Sequence, residues 1–538
     1  MTTLGNYQVL KLSSSHLKEN KFNLKISLEK ARITGKVIKL GENQFIETLN
    51  RIKGLEVDFS YIHELERKRK QTIAKRNSAE NRSKLKEIDE ELDSLLFVSE
   101  IISINFTDTR HYRNILDGNL YVNGKEFVRF LAGSGNIRNN TVFFIDKDYF
   151  QPMKEILDNG RNLDEPLNHA KYNAYFGLYG SAGRRVSTPS FAVIPDYEYA
   201  RMGTFDFIND DGTIEEVQRK VEINVFDGQG LISPALSKRW GEELELDYIP
   251  SGYIIRAPFV KGQVVTFDFH KMASALDVSK STDIWGNEFL ISEVDMVLSE
   301  SQFKLGSSYA SLQEYLYHFN KNELSFRISR YAPKKVRSDT TSNYMYLQVL
   351  DLDDEDVKNI CRNTVEYFRD IQYADEKVSA LYLSGSGVFE DGFDSDDFHD
   401  LDIVSKAILA YPPLLHERYM SGRIQNVLAK KERQSKLGKL LLQGNYSLMV
   451  SDPYAQSEWL CGTVPKGLLE EGEFHSSYWN DCGENKVGIA RSPLTHNSEM
   501  RYANLVDNYD TREWYNYLDT SFIFNGLGLD VFYLADAD

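Results

Sequence analysis

VFDGQGLISPALSKRW (residues 225–240), followed by IIRAPFVKGQVVTFDF (254–269) and DIWGNEF (283–289), packs several β runs into little length. Dense, crossing strands over 216–290 are the pattern of a compact barrel. Gly228 and Gly230 let the backbone turn sharply between strands, where a positive φ costs any residue with a side chain more. Asp227 reads as a cap on that turn, bonded to nearby backbone N–H groups. Lys261 follows an apolar strand broken by Pro258 and stands directly before Gly262, so it projects as a cation from a tight turn at the barrel mouth. A phosphate could sit there, although spacing alone favours an ordinary surface lysine on a hairpin.

Upstream, residues 99–215 read as mainly β, with INFTD, NLYVNG, FVRFLAG, TVFFID and FAVIPD alternating with Gly and Asn turns. Residues 57–98 form a helical hairpin or coiled coil: Ile62, Leu65, Ile73, Leu85, Ile88, Leu92 and Leu95 recur at helical spacing, with the turn expected near Asn81 to Ser83. Its run Arg67, Lys68, Arg69, Lys70 reads as a solvated helix face before it reads as a nucleic-acid contact. Residues 1–56 are an N-terminal α/β segment. Downstream, 291–439 turn helical as a connector, and strands return over 440–538 in GNYSLMVSDP, NKVGIARSP and LDVFYLADAD. The expected fold class is α+β and multi-domain, with two β units separated by a helical region.

A chain of 538 residues exceeds one ordinary domain, and 41% hydrophobic with 27% charged residues suits a soluble, folded protein. The net charge of −17 argues against indiscriminate coating of nucleic acid, though an acidic body can still hold a basic channel. Three scattered cysteines suggest neither a disulfide framework nor a zinc site, and fit a reducing cytoplasm. No apolar run reaches bilayer-spanning length, so no membrane is expected. EDGFDSDDFHD (390–400) lacks calcium-loop spacing, SGSGV (384–388) lacks the Gly-Lys-Ser/Thr of a phosphate loop, and the ten histidines form no hydrolase constellation. His475 and His496 lie near informative blocks, but buried structural histidines are the commoner case.

Two further features bear on chemistry. Lys430, Lys431, Arg433, Lys436 and Lys439 lie on one predicted helix and suit a nucleic-acid backbone, although helical spacing spreads them over more than one face. LDVFYLADAD (529–538) is a buried-strand pattern that delivers Asp536 and Asp538 to the loop at its end, pointing the same way. Carboxylates so held repel unless a divalent cation lies between them, and Mg²⁺ prefers such oxygen ligands; a frayed acidic tail is the plain alternative.

Residues 225–269 resemble the first barrel of cellular RNA-dependent RNA polymerases and of YonO-like phage RNA polymerases. TPSFAVIPD (188–196), DIWGNEF, SNYMYLQVL (342–350), SDPYAQSEWLCG (451–462) and VGIARSPLTH (487–496) look like collinear family blocks, so the resemblance covers about 175–538. It implies two double-psi β-barrel units, the second incomplete, and a magnesium-dependent nucleotidyl transferase that adds ribonucleoside triphosphates to an RNA product. It implies Lys261 as the phosphate-binding lysine, Lys238 as a second cation, Arg491 as a fork on a nucleotide phosphate, and Tyr344 near the template. Asp536 and Asp538 align with the first two aspartates of an Asp-x-Asp-Gly-Asp magnesium loop, or Asp538 alone with the first. Because the sequence stops there, it is expected to be inactive as it stands, cut inside that loop. The YonO-like details imply a phage protein in a bacterial cytoplasm, a monomer with a DNA template, RNA remaining open. The alternatives are a non-catalytic nucleic-acid-binding subunit or one half of a split polymerase.

Overall fold

The computed structural model describes residues 7–55, 58–73, 78–108, 110, 111, 113, 115, 120–164, 167–372, 379, 403–490 and 500–528. It is α+β and divides into two units, Met1–Asp196 with Asp227–Tyr331, and Tyr197–Phe226 with Ala332–Asp538.

The first unit opens with a seven-stranded sheet in the order Asn23–Leu24, Leu120–Val122, Lys125–Leu131, Thr141–Asp146, Phe97–Asn105, Tyr7–Ser13, Val37–Leu40. Alternation along its central strands sends Val9, Ile101, Phe143 and Ile145 to one core and Leu10, Ile102, Ile104 and Phe144 to another. Both faces are therefore buried, which explains runs such as TVFFID that are apolar nearly throughout. This sheet draws strands from both 1–56 and 99–215, so the division expected between those segments cuts through one structure. Local apolar pattern marks a strand but not its partners.

Helices Phe59–Ile73 and Ala79–Leu96 form the expected pair and bury Ile62, Leu65, Leu92 and Leu96. The turn is not at Asn81 to Ser83: Ser78 caps the second helix, accepting from Asn81 N at 3.1 Å, so those residues are already helical. In the basic run, Lys68 meets Glu64 at 2.7 Å and Arg69 meets Asp89 at 2.6 Å, as on a solvated, salt-bridged face.

A second seven-stranded sheet runs in the order Arg184–Val186, Phe326–Tyr331, Gly252–Ala257, Val260–Thr266, Gln229–Ile232, Met296–Ser299, Phe191–Ile194. Gln229–Ile232 and Val260–Thr266 run parallel, with the helix Pro234–Glu243 and the strand Gly252–Ala257 between them in sequence. This sheet spans 184–331 and so draws strands from outside the 216–290 stretch whose runs suggest a compact unit. Ile214–Asn224 does not join it; that strand pairs residue for residue with Glu198–Ile208 in a long hairpin of the other unit. The expected helical connector from 291 likewise begins with Met296–Ser299 and Phe326–Tyr331, strands of this sheet.

In the second unit, helices Asp354–Gln372, Ile403–Ala410 and Arg418–Ser435 enclose Tyr367, Ile371, Ile408, Met420 and Ile424. A five-stranded sheet follows, ordered Leu448–Ser451, Ser521–Phe524, Glu473–His475, Met500–Leu505, Lys486–Ala490. Its core joins Ile223, Val225 and Phe226 from the hairpin end to Ala455, Phe474, Ala503, Phe522 and Phe524. Among the described residues no helix is long and apolar enough to cross a membrane.

Candidate functional site

Lys261 stands just past the turn that joins Gly252–Ala257 to Val260–Thr266, with Arg256 as its cross-strand partner. Pro258 sets the first corner and Phe259 takes φ 55 at the second, a conformation that a bulky residue adopts only when its surroundings impose it. They do so here. Phe259 is 1% exposed, Tyr315 Oη donates to Pro258 O at 2.9 Å, and Lys304 N donates to Phe259 O at 2.7 Å. The tip is anchored in the core while the Lys261 side chain is exposed.

The glycines of the quoted stretches have separate jobs. Gly228 turns, as expected, with φ 67, and its N–H donates to Ser301 Oγ at 2.9 Å. Gly230 does not turn; it lies within Gln229–Ile232, where a Cβ would come 2.5 Å from Gln302 Oε1 and 2.5 Å from Val297 O. At Gly262 a Cβ would lie 2.3 Å from Gln302 Nε2 and 2.5 Å from Gly228 O. Both positions are bare to admit Gln302, fully buried, whose Nε2 donates to Gln263 O at 2.8 Å and whose Oε1 accepts from Ser299 N at 3.1 Å. The amide locks the residues after Met296–Ser299 against the Lys261 strand.

That lock brings a charged group together. Burial pulls the Lys304 ammonium below its ordinary value; Asp227 opposes this, Lys261 reinforces it, Asp196 opposes it and Lys171 adds to it. Asp196 Oδ1 also accepts from Ser301 N at 3.1 Å. Asp227 thus acts on Lys304 as well as lying on the turn. Lys238 is not among these charges. It is exposed on Pro234–Glu243, a helix capped by Ser233 and fixed by buried Trp240, whose Nε1 donates to Ser187 O at 3.0 Å. Lys304, Lys171, Asp196 and Gln302 were not anticipated. One signal was legible: Lys304 is the sole charge between Glu300 and Glu314.

In the second unit Tyr344 and the basic helix meet. Tyr344, 51% exposed, opens the helix Tyr344–Val349, and a Cβ at Gly438 would lie 3.0 Å from its Cα. Ser342 Oγ donates to Gly438 O at 2.7 Å, and Leu440 N donates to Ser342 Oγ at 2.8 Å. Tyr344 therefore sits at the C-terminal end of the helix bearing Lys430, Lys431 and Arg433. Lys430 and Arg433 are exposed, Lys431 is half-buried, and Lys436 is held by Glu432 at 2.8 Å. Tyr446, 64% exposed, is close enough to act on the half-buried Tyr346, whose phenol burial pushes up.

The SDPYAQSEWLCG block is structural. Asp452, fully buried, caps Pro453–Leu460 through Tyr454 N at 2.9 Å and accepts from Leu468 N at 2.7 Å and Tyr515 Oη at 2.8 Å. Burial raises its carboxyl, and these donors pull the other way. His475 is 1% exposed, held down by burial and bonded to Val506 O at 2.8 Å, a structural histidine. Arg491, Asp536, Asp538, His496 and the 384–400 stretches lie outside the described residues. Among the described residues, no three His, Cys, Asp or Glu side chains are grouped to hold a metal.

The RNA dependent RNA polymerase family matches residues 55–519. A relative from Bacillus phage SPbeta, the DNA-directed RNA polymerase YonO, is 28% identical over 411 residues, 72% of this chain and 45% of its own. The fold resembles RNA dependent RNA polymerase QDE-1 from Thielavia terrestris, with TM-score 0.51 and 13% identity over 79% of this chain and 46% of that one. The chain spans less than half the length of both. With more than four-fifths of its residues inside the family match, this chain belongs to the RNA-dependent RNA polymerase family.

Proposed function

We propose that the function is template-directed RNA synthesis, with ribonucleoside triphosphates added to an RNA 3′ end. The observation that carries this is the Lys261 turn, anchored by Phe259 and Gln302, in a chain of this family. A cation on a turn that cannot relax holds a phosphate without reorganisation, and phosphoryl transfer depends on positioning and charge neutralisation. In this reading Lys261 holds a nucleotide phosphate, Arg491 grips one with its fork, and Lys238 is a flanking cation. Tyr344, Lys430, Lys431 and Arg433 hold the nucleic-acid strand.

The sheet of 184–331 would be the first double-psi barrel and the five-stranded sheet part of the second. Asp536 and Asp538 are the proposed magnesium ligands; a bound magnesium would supply activation of the 3′ hydroxyl and neutralise pyrophosphate charge. DNA is the proposed template because the phage relative is a DNA-directed enzyme, and we place the protein as a monomer in the cytoplasm of a phage's host.

Ribonucleotide incorporation by the complete gene product tests this. Lys261→Ala and Arg491→Ala should each lower incorporation about a hundredfold, with the unfolding midpoint unchanged. Unchanged incorporation in both sinks the assignment. Template binding without incorporation by the wild type favours a non-catalytic nucleic-acid-binding subunit.

A further inference from the structure

We infer that Lys304 is a second phosphate-contacting residue, acting with Lys261 on the same triphosphate; this rests on the polymerase reading. Four observations converge on it. Lys304 N donates to Phe259 O at 2.7 Å and Phe303 bridges Val260, so the segment carrying Lys304 runs beside the turn carrying Lys261. Each lysine adjoins a bulky residue in the left-handed region: Phe259 at φ 55 lies two residues before Lys261, and Leu305 at φ 63 directly follows Lys304. Such backbone persists only where packing imposes it, and it is concentrated at sites whose geometry is used.

The third observation is the wedge. Buried Gln302 fills the space left by Gly230 and Gly262, fixing the backbone two residues before Lys304 against both neighbouring strands. The fourth is charge. Lys304 feels two other ammoniums, Lys261 and Lys171, and two carboxylates, Asp227 and Asp196, so the lysines of the group outnumber its carboxylates by one. Lys261 disfavours the Lys304 charge, and an anion held by both relieves that repulsion. Burial that disfavours the Lys304 charge strengthens its attraction to a phosphate through the lower local dielectric.

Binding of ATP, with inorganic tripolyphosphate as a phosphate-only probe, tests this by calorimetry on the full chain without template. Lys261→Ala and Lys304→Ala should each weaken binding of both probes about tenfold or more, and Lys304→Arg should retain most of it. Wild-type affinity should fall as pH rises below the ordinary lysine range, because the lowered Lys304 loses its proton first; Lys304→Arg should abolish that early fall. Lys304→Ala that binds like the wild type while Lys261→Ala is weakened overturns the inference alone. Wild-type binding that is absent, or indifferent to Lys261→Ala, overturns the polymerase reading with it.

Discussion

At Gly262 an added Cβ would meet Gln302 Nε2 at 2.3 Å and Gly228 O at 2.5 Å, and neither neighbour can retreat. Gln302 is bonded at both ends of its amide, and Gly228 O accepts from Gln263 N at 3.0 Å. Gly262→Ala should therefore destabilise the first unit by about 1–3 kcal/mol, as overpacking does, and lower the thermal unfolding midpoint. Gly488→Ala is the control: it has open space within 4 Å in Lys486–Ala490 and should change stability by less than about 0.5 kcal/mol. Equal midpoints for the two variants would remove the wedge from the account. Lys261 was legible in the sequence because proline, lysine and glycine in short order mark a turn that carries a cation. Lys304 offered only its isolation as a charge, because it lies between two short 3₁₀ turns where no periodicity runs. Gln302 was hidden for a related reason: a buried amide looks polar in sequence, and only the two bare glycines on other strands reveal its socket.

Elements with strong internal period were legible, and their partners were not. Asp354–Gln372 is readable because its apolar stripe is local, whereas Ile214–Asn224 reads equally well as a barrel strand or a hairpin arm. Its eleven pairings with Glu198–Ile208 follow from a turn at Asn209, whose N–H donates to Thr213 O at 2.9 Å. The basic helix shows what a face adds to a pattern. Lys430 and Arg433 are exposed, while Lys436 is occupied by Glu432. For a single-stranded oligonucleotide, Lys430→Glu with Arg433→Glu should weaken binding and flatten the slope of log affinity against log salt by about 1–1.5, as two phosphate contacts are lost. Tyr344→Ala should cost about 1–3 kcal/mol with the slope unchanged, since stacking releases no counterions. Lys436→Glu should change the slope less than either reversed cation. Fluorescence anisotropy across a salt series reads all three, and equal slopes in every variant would reduce the helix to a solvated face.

On the scale of the whole molecule, the chain leaves its first unit at Asp196, contributes 197–226 to the second, returns, and leaves again after Tyr331. The second unit is therefore discontinuous in sequence. A cut between Tyr331 and Ala332 separates Ile223, Val225 and Phe226 from the core they share with Phe474, Phe522 and Phe524. It also removes Val225 O, which accepts from Ser451 Oγ at 2.9 Å beside the parallel pairing of Leu448–Ser451 with Ser521–Phe524. Three buried apolar side chains at roughly 1.5–3 kcal/mol each, with a buried hydroxyl orphaned at roughly 1–3 kcal/mol, approach the whole stability of a typical domain. Residues 332–538 expressed alone should thus be insoluble or lack a cooperative unfolding transition. Fusing 197–226 ahead of them through a flexible linker should restore solubility and a sigmoidal melt followed by circular dichroism. A cooperative, soluble 332–538 without that segment would mean that Val225 and Phe226 only decorate a core that is complete without them.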